Sequence, residues 1–318
     1  MKIIAQHEAR IDKILQNELQ KPRNQVENFI KTHGVSINSK HTNKCGYKIK
    51  AGDIIEFNLP KATKTKAIKI DFDIEIIYED EDLLIVNKPP FLTVHPASSV
   101  KEPTLVDWLK YKGISLSTLS GDERHGIVHR IDKETSGALV VAKNNHAHKE
   151  LSYQLENKSM GRYYLALIDL ELKESLIVEK KIARNPNNRI KMTTAKHGRE
   201  AKSAFLKLLK SKNSDIELIA AKLYSGRTHQ IRVHLESISR HILGDSLYGF
   251  KSKKGKINRT MLHAYIIYFI HPVTKEVIFK QAPLYDDFKD ILSKHFEMEK
   301  IDEQISPNYL LNKFNTTF

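Results

Sequence analysis

HGIVHRIDKETSGALVVAKN, at residues 125–144, changes character halfway along. Its first half gathers His129, Arg130, Asp132, Lys133, Glu134 and Thr135, and from Gly137 to Ala142 it turns apolar. The polar half reads as a loop and the apolar half as a buried strand. Polar groups at the mouth of a buried strand are held in place by a rigid scaffold, which suits chemistry. A plainer reading stands beside it, since an Asp in such a loop often only caps or turns the chain. Further strand-like runs lie on either side: IDFDIEIIYE from 70, DLLIVNK from 82, YYLALIDL from 163, SAFLKLL from 203, IELIAAKL from 216, AYIIYFIH from 264 and EVIFKQ from 276. Together they predict one large mixed α+β domain over residues 70–300. No repeat of 20 to 50 residues is visible, which excludes a solenoid or propeller.

Ahead of that domain, residues 1–60 form a pattern of their own. ARIDKILQNEL reads as a helix with Ile11, Ile14, Leu15 and Leu19 on one face, and a second helix carrying Val26, Phe29 and Ile30 ends near Gly34. Val35 and Ile37 then suit a strand before a turn at Asn38-Ser39, and YKIKAGDIIEFNL reads as strand, turn at Ala51-Gly52-Asp53, strand. Lys31 and Lys40 are among the cations that crowd this module and suit phosphate contacts. PKATKTKAIK has the composition of a tether, placing a basic linker at 61–69. The polar stretch 301–318 reads as a loosely held C-terminal extension.

The chain has 318 residues, enough for two domains, with 40% hydrophobic and 28% charged residues, a globular composition. Fifty-two Lys and Arg against 38 Asp and Glu give 52 − 38 = +14, which points to a polyanionic partner, most often nucleic acid. A single cysteine, Cys45, excludes an intrachain disulfide and a cysteine-rich zinc site. No signal-peptide-like or membrane-spanning apolar run appears, so a cytoplasmic location and no membrane partner are expected.

A second polar cluster, SGRTHQIRVHLES at 225–237, holds Arg227, His229, Arg232 and His234. If the chain is helical from Thr228, its first amides would help hold an anion; the plainer reading is a solvated basic face. His125 and His129 have zinc-like i, i+4 spacing, but Gly126 and the loop context argue against a helix there, so no metal is expected. No phosphate loop, dinucleotide fingerprint or nucleophile elbow is present, which disfavours nucleotide-driven and triad chemistry.

HRIDKETSGALVVAKN at 129–144 resembles the HRLDxxTSG signature of the RluA-type (RluC/RluD-like) RNA pseudouridine synthases. Three more blocks agree in order: EDEDLLIVNKPP with VHP in 79–96, GRTHQIRVH at 226–234, and LHA with HPVTKE in 262–276. Residues 7–59 likewise resemble the alpha-L RNA-binding fold of ribosomal small-subunit protein four. The resemblance implies a pseudouridine synthase fold, a mixed and largely antiparallel sheet with a central cleft, preceded by a small α/β RNA-binding module.

It also implies site residues. The family's catalytic aspartate falls on Asp132, its paired arginine on Arg232 and its tyrosine on Tyr164, with Tyr163 a competing candidate and Arg162 where lysine is usual. Arg130 matches the arginine that fills the RNA stack when the target uridine leaves it. Departures include Phe91 where the family has glycine and Ser225 where it has threonine, which touch loop geometry more than chemistry.

The residue types suit the reaction. Pseudouridine formation breaks the bond from ribose to uracil N1, turns the base and joins ribose to uracil C5 with no net oxidation, so no cofactor is expected. A carboxylate serves as nucleophile or base, a nearby guanidinium favours its charged form, and a phenol can act as base or stack on uracil. His129, Arg227 and Lys88 are expected to add RNA contacts beside Arg130, Lys31 and Lys40, while His229, His263 and His271 read as structural. Large-subunit ribosomal RNA is the expected substrate and a monomer the expected state. The rivals are action on tRNA, a non-catalytic RNA-binding assembly factor, and a glycosidase pairing Asp132 with Glu134.

Overall fold

The structure, a computed structural model, describes residues 1–19, 23–58, 70–97, 100–121, 124–212, 214–251 and 257–318. The expected linker at 61–69 lies outside the described residues. The chain divides into two compact units: one holds the described residues of Met1–Lys69 and Thr118–His125, the other those of Ile70–Ser117 and Gly126–Phe318.

The small unit is built from β1 (Lys2–Ile4), β2 (Ala9–Arg10), α1 (Ile11–Leu19), α2 (Arg23–His33), β3 (Val35–Ile37), β4 (Lys40–Thr42), β5 (Lys48–Ile49) and β6 (Ile54–Glu56). Ile11, Ile14 and Leu15 of α1 and Val26 and Ile30 of α2 bury one face of each helix against Val35, Ile37, Ile49 and Ile55. The chain leaves α2 through Gly34 at φ +68°, where an added Cβ would meet the His41 ring. Asn38 and Ser39, both at positive φ, make the tight turn between β3 and β4. The turn at 51–53 forms, but the strands around it do not pair with each other: β5 joins β2, whereas β6 lies between β1 and β3. Asp53 explains the divergence, because its carboxylate accepts from Lys50 N and from the Asn38 side chain.

The large unit adds β7 (Glu75–Glu79), β8 (Leu83–Lys88), α3 (Leu105–Tyr111), β9 (Ser136–Ala142), α4 (Asn145–Glu156), β10 (Gly161–Ile168), β11 (Leu176–Glu179), β12 (Ile182–Arg184), β13 (Met192–Thr194), β14 (Lys202–Lys210), β15 (Glu217–Leu223), α5 (Gln230–Glu236), a 3-10 turn (Ser246–Tyr248), β16 (Leu262–Ile270), β17 (Val277–Gln281), α6 (Asp286–His295), α7 (Met298–Gln304) and α8 (Pro307–Thr317). Nine strands form one sheet in the order β11-β14-β15-β10-β16-β9-β8-β7, with β17 also on β16, while β12 and β13 make a separate hairpin. β8, β9 and β10 are buried throughout because the sheet is covered on both faces. Leu84, Val86, Leu139 and Val141 enter the main core with Trp108 of α3, and Leu83, Ile85, Ala138 and Val140 pack with Ala147 and Leu151 of α4.

Every named ladder in this sheet is antiparallel except β9 on β16, a parallel contact of His263 with Ser136 and Ala264 with Gly137. Gly137 has φ +111°, and a Cβ there would lie 2.2 Å from the Ala264 carbonyl oxygen. Only glycine lets the two backbones meet at this point, directly after the polar loop.

The stretch expected to be a loose extension is instead helical and packed. Ile301, Ile305, Leu310 and Phe314 are buried in the main core, and the Phe314 ring lies 5.0 Å from that of Tyr163 on β10. Four apolar residues spaced along two short helices cover one side of the core, a pattern that a count of polar residues hides. Truncating this contact should be costly: Phe314→Ala is expected to lower the unfolding free energy by about 3 kcal/mol or more, read from urea unfolding of the full chain.

Candidate active site

The loop at 129–135 is tied down on all sides before it enters β9. The Lys88 ammonium, at the end of β8, donates to the carbonyls of Pro89, Leu92 and Lys133 at 2.7, 2.9 and 3.1 Å. Glu134 accepts from Thr260 N at 3.1 Å and Thr260 Oγ1 at 2.6 Å. The Glu134 carbonyl accepts from Arg259, whose guanidinium is paired with Asp287 of α6. Within the loop, Thr135 N donates to the Asp132 carbonyl.

This leaves the Asp132 side chain at a pocket that Arg130, Arg162, Tyr164, His229 and Arg232 also line. Arg232, on α5, is buried and forks onto Asp245, with Nε to Oδ2 at 2.7 Å and Nη2 to Oδ1 at 2.8 Å. Its remaining Nη1 donates to Asp132 Oδ2 at 3.1 Å, and its carbon lies 4.8 Å from the centre of the Tyr248 ring. Burial opposes its charge, but Asp245 and then Asp132 more than offset this and hold the guanidinium above the ordinary arginine range.

The loop that carries α5 is arranged by Gln230, which is buried and fully bonded. Its amide oxygen accepts from Ser225 Oγ and Arg227 N, and its nitrogen donates to Lys202 O and Ser203 Oγ. Ser225 thus supplies a hydroxyl where the family has threonine. The helix begins at Gln230, two residues beyond Thr228, after His229 in the left-handed region at φ 56°. Phe91, in the family's glycine position, holds φ 65° with its ring half exposed, so the backbone conformation that glycine favours is kept.

Tyr164 lies at the pocket, 4% exposed, and burial raises its phenol pKa. Tyr163, one residue away across a bulge in the β10–β16 register, packs against Tyr268 and Phe314. Arg162 brings a second buried guanidinium to the same pocket, and its Nε has no hydrogen-bond partner among the described residues.

Two expected RNA contacts are corrected. Lys88 is fully buried, its ammonium is taken up by three carbonyls, and burial lowers its pKa to about 7, so it braces the loop instead of meeting phosphate. His129 turns inward, where Nε2 accepts from Val140 N at 3.2 Å, and burial, with Arg162 adding, lowers its pKa to about 3. Arg130 is exposed at the pocket, Arg227 is half-buried there with Nε on Glu200 O, and Lys31 and Lys40 are exposed on the small unit. Glu134 is committed to Thr260, which removes the feature the glycosidase reading needed.

Sequence reasoning gave no role to Asp245 or Tyr248, although Asp245 ends the RHILGD block at 240–245. Among the described residues, Asp80, Asp82 and His271 could bring three ligand atoms within 4.8 Å. Those atoms already serve the fold: Asp80 accepts from His271, Tyr78, Asp82 N and Leu83 N, and Asp82 accepts from Asn144.

Comparison with known proteins identifies the family. The family model described as RNA pseudouridylate synthase matches residues 82–237. An uncharacterized RNA pseudouridine synthase of Helicobacter pylori (strain ATCC 700392 / 26695) is 49% identical over 313 residues, covering 96% of this chain and 95% of that protein. The ribosomal large subunit pseudouridine synthase D of Zymomonas mobilis subsp. mobilis is 38% identical over 252 residues, covering 76% and 79%. In fold, human RNA Pseudouridylate Synthase Domain Containing 1 superposes with a TM-score of 0.53 at 22% identity over 73% of this chain and 96% of that one. With an aspartate loop, a shared arginine and relatives alike over nearly the whole length, the chain belongs to the RluA family of RNA pseudouridine synthases and is an isomerase acting on RNA.

Proposed function

We propose that this enzyme isomerises uridine in large-subunit ribosomal RNA, with Asp132 as the catalytic residue. The observation that carries the site assignment is the Asp132 carboxylate at a pocket, held through Oδ2 by a buried arginine that Asp245 fixes from behind. Oδ1 is thereby left towards the substrate. Either route for the reaction uses this oxygen. As nucleophile it bonds to ribose C1′ while the electron pair of the C1′–N1 bond leaves with uracil; as base it takes the C2′ proton as uracil leaves with that pair, giving a glycal. Uracil then turns and C5 joins C1′, displacing the carboxylate in the first route and with the proton returned to C2′ in the second; the C5 proton then departs and N1 is protonated. Tyr164 lies where it can stack on the ring or take that proton. Burial of its phenol favours the neutral form, which suits stacking.

A uridine in a helix is out of reach, so the enzyme flips it and Arg130, exposed at the pocket, fills the gap. The hairpin of β12 and β13 extends the basic surface with the exposed Arg184 and Arg189, and Arg199 bridges to its first strand. In the small unit, two helices packed on a short sheet, with Lys31 and Lys40 exposed, support an alpha-L RNA-binding role for residues 1–60. A +14 charge and such a module suit a large, folded RNA, and the relative from Zymomonas mobilis carries the ribosomal large subunit in its name. A monomer in the cytoplasm completes the proposal.

Three outcomes are expected. Full-length protein releases tritium from RNA transcribed with carbon-5-labelled uridine, faster from large-subunit ribosomal RNA than from tRNA, and Asp132→Asn releases none while still binding; faster release from tRNA would reverse the substrate assignment. Asp245→Asn weakens the fork on Arg232 and slows single turnover by about 10²-fold with RNA affinity nearly unchanged. Joint Lys31→Glu and Lys40→Glu substitution weakens RNA binding and lowers the salt slope of log Kd by about 1 to 2, with the rate at saturating enzyme kept.

A further inference from the structure

His229 lines this pocket and has a backbone conformation uncommon for a side-chain-bearing residue. It sits at φ 56°, in the left-handed region, at the start of α5, and makes no side-chain capping bond to the helix. Few residues other than glycine adopt this region, and histidine, like asparagine and aspartate, does so more readily than most. The ring is mostly buried and stands edge-on to Tyr248, with centroids 5.6 Å apart at 90°. Nδ1 is 2.8 Å from the Tyr248 hydroxyl, and Nε2 is 3.8 Å from Asp132 Oδ1.

The polarity of this chain can be worked out from its far end. Met192 N, on β13, donates to the Tyr248 hydroxyl oxygen at 2.8 Å. Tyr248 is 1% exposed, so its own proton needs an acceptor, and Nδ1 is the one within hydrogen-bond distance among the described residues. Nδ1 then accepts, and the ring proton resides on Nε2, facing Asp132. Burial lowers the imidazole pKa, with Asp132 raising it and Arg232 lowering it again, which suits the neutral ring that this pattern needs. Arg232 has taken Oδ2, so Nε2–H stands over the other carboxylate oxygen, the one left for the substrate.

We propose that His229 is a positioning residue for Asp132: oriented by the Met192–Tyr248 relay, its Nε2–H closes onto Oδ1 as RNA fills the pocket and sets the carboxylate for attack. This rests on the pseudouridine synthase assignment of the pocket. A separation of 3.8 Å without substrate accords with catalytic hydrogen bonds that tighten only in the complex. It also links the reacting carboxylate to the basic hairpin, since the relay begins on β13.

The test uses the full chain with ribosomal RNA at saturating enzyme, reading tritium release for the rate and a titration for affinity. His229→Gly is the informative variant, because glycine accepts this backbone without strain, and rate and affinity are both read on protein verified as folded. The expected result is RNA affinity within about two-fold of native and a single-turnover rate lowered about ten- to a hundred-fold. His229→Asn, which tolerates the same backbone and ends where Nδ1 stood, should fall alongside it. Tyr248→Phe, which keeps the ring over Arg232 and loses the hydroxyl, should fall by a smaller factor. A glycine variant with the native rate overturns the proposal, as does one whose loss lies in affinity. If native protein releases no tritium from any RNA, the function itself is overturned, and that is read before any variant is made.

Discussion

One buried guanidinium holds the site together. Arg232 has three donor directions committed, two to Asp245 and one to Asp132, and taking a cation out of water is tolerable only because both carboxylates come with it. Asp245 is the fixed partner, nearly inaccessible and bonded also to Tyr248 N. Asp132 is the partner that keeps contact with solvent, its side chain 17% exposed. The asymmetry divides the labour: one carboxylate compensates the charge and orients it, and the other is left with an oxygen available for reaction. Much of the surrounding structure keeps these three groups in register, from Lys88 beneath the loop to Gln230 at the start of the helix.

Much of this could be read from the sequence because it is local. Apolar runs such as LLIVNK and GALVVA announce strands wherever both faces of a sheet are covered, and the density of polar groups at 129–135 marked the loop before β9. The aspartate, its arginine and the tyrosine came as a set, from blocks whose order is recognisable. Pocket geometry then separates Tyr164 from its neighbour Tyr163, a choice the sequence left open because adjacent residues across a bulge share the same composition.

What was not legible depends on contacts made far along the chain. Lys88 looks like any basic residue near a polar loop, yet its place at the end of a fully buried strand turns it into a brace. His129 carries a titratable ring beside an arginine, and only the pairing with Val140 N shows that it faces inward. Asp245 lies 13 residues from Arg232, beyond any helical spacing that would link them. The last two helices were misread because polarity was averaged over the stretch, while burial is decided by Ile301, Ile305, Leu310 and Phe314.

The close approach of Gly137 to Ala264 has a consequence in time as well as space. The strand that receives the catalytic loop is clasped by one that lies more than a hundred residues later, and two of the loop's other ties span similar distances: 100 residues from Asp132 to Arg232 and 126 from Glu134 to Thr260. Closing such long loops is entropically slow and gives no reward until the distant partner arrives. The position of the reactive carboxylate thus depends on partners more than a hundred residues away, and a chain that has formed only its local contacts has no competent active site.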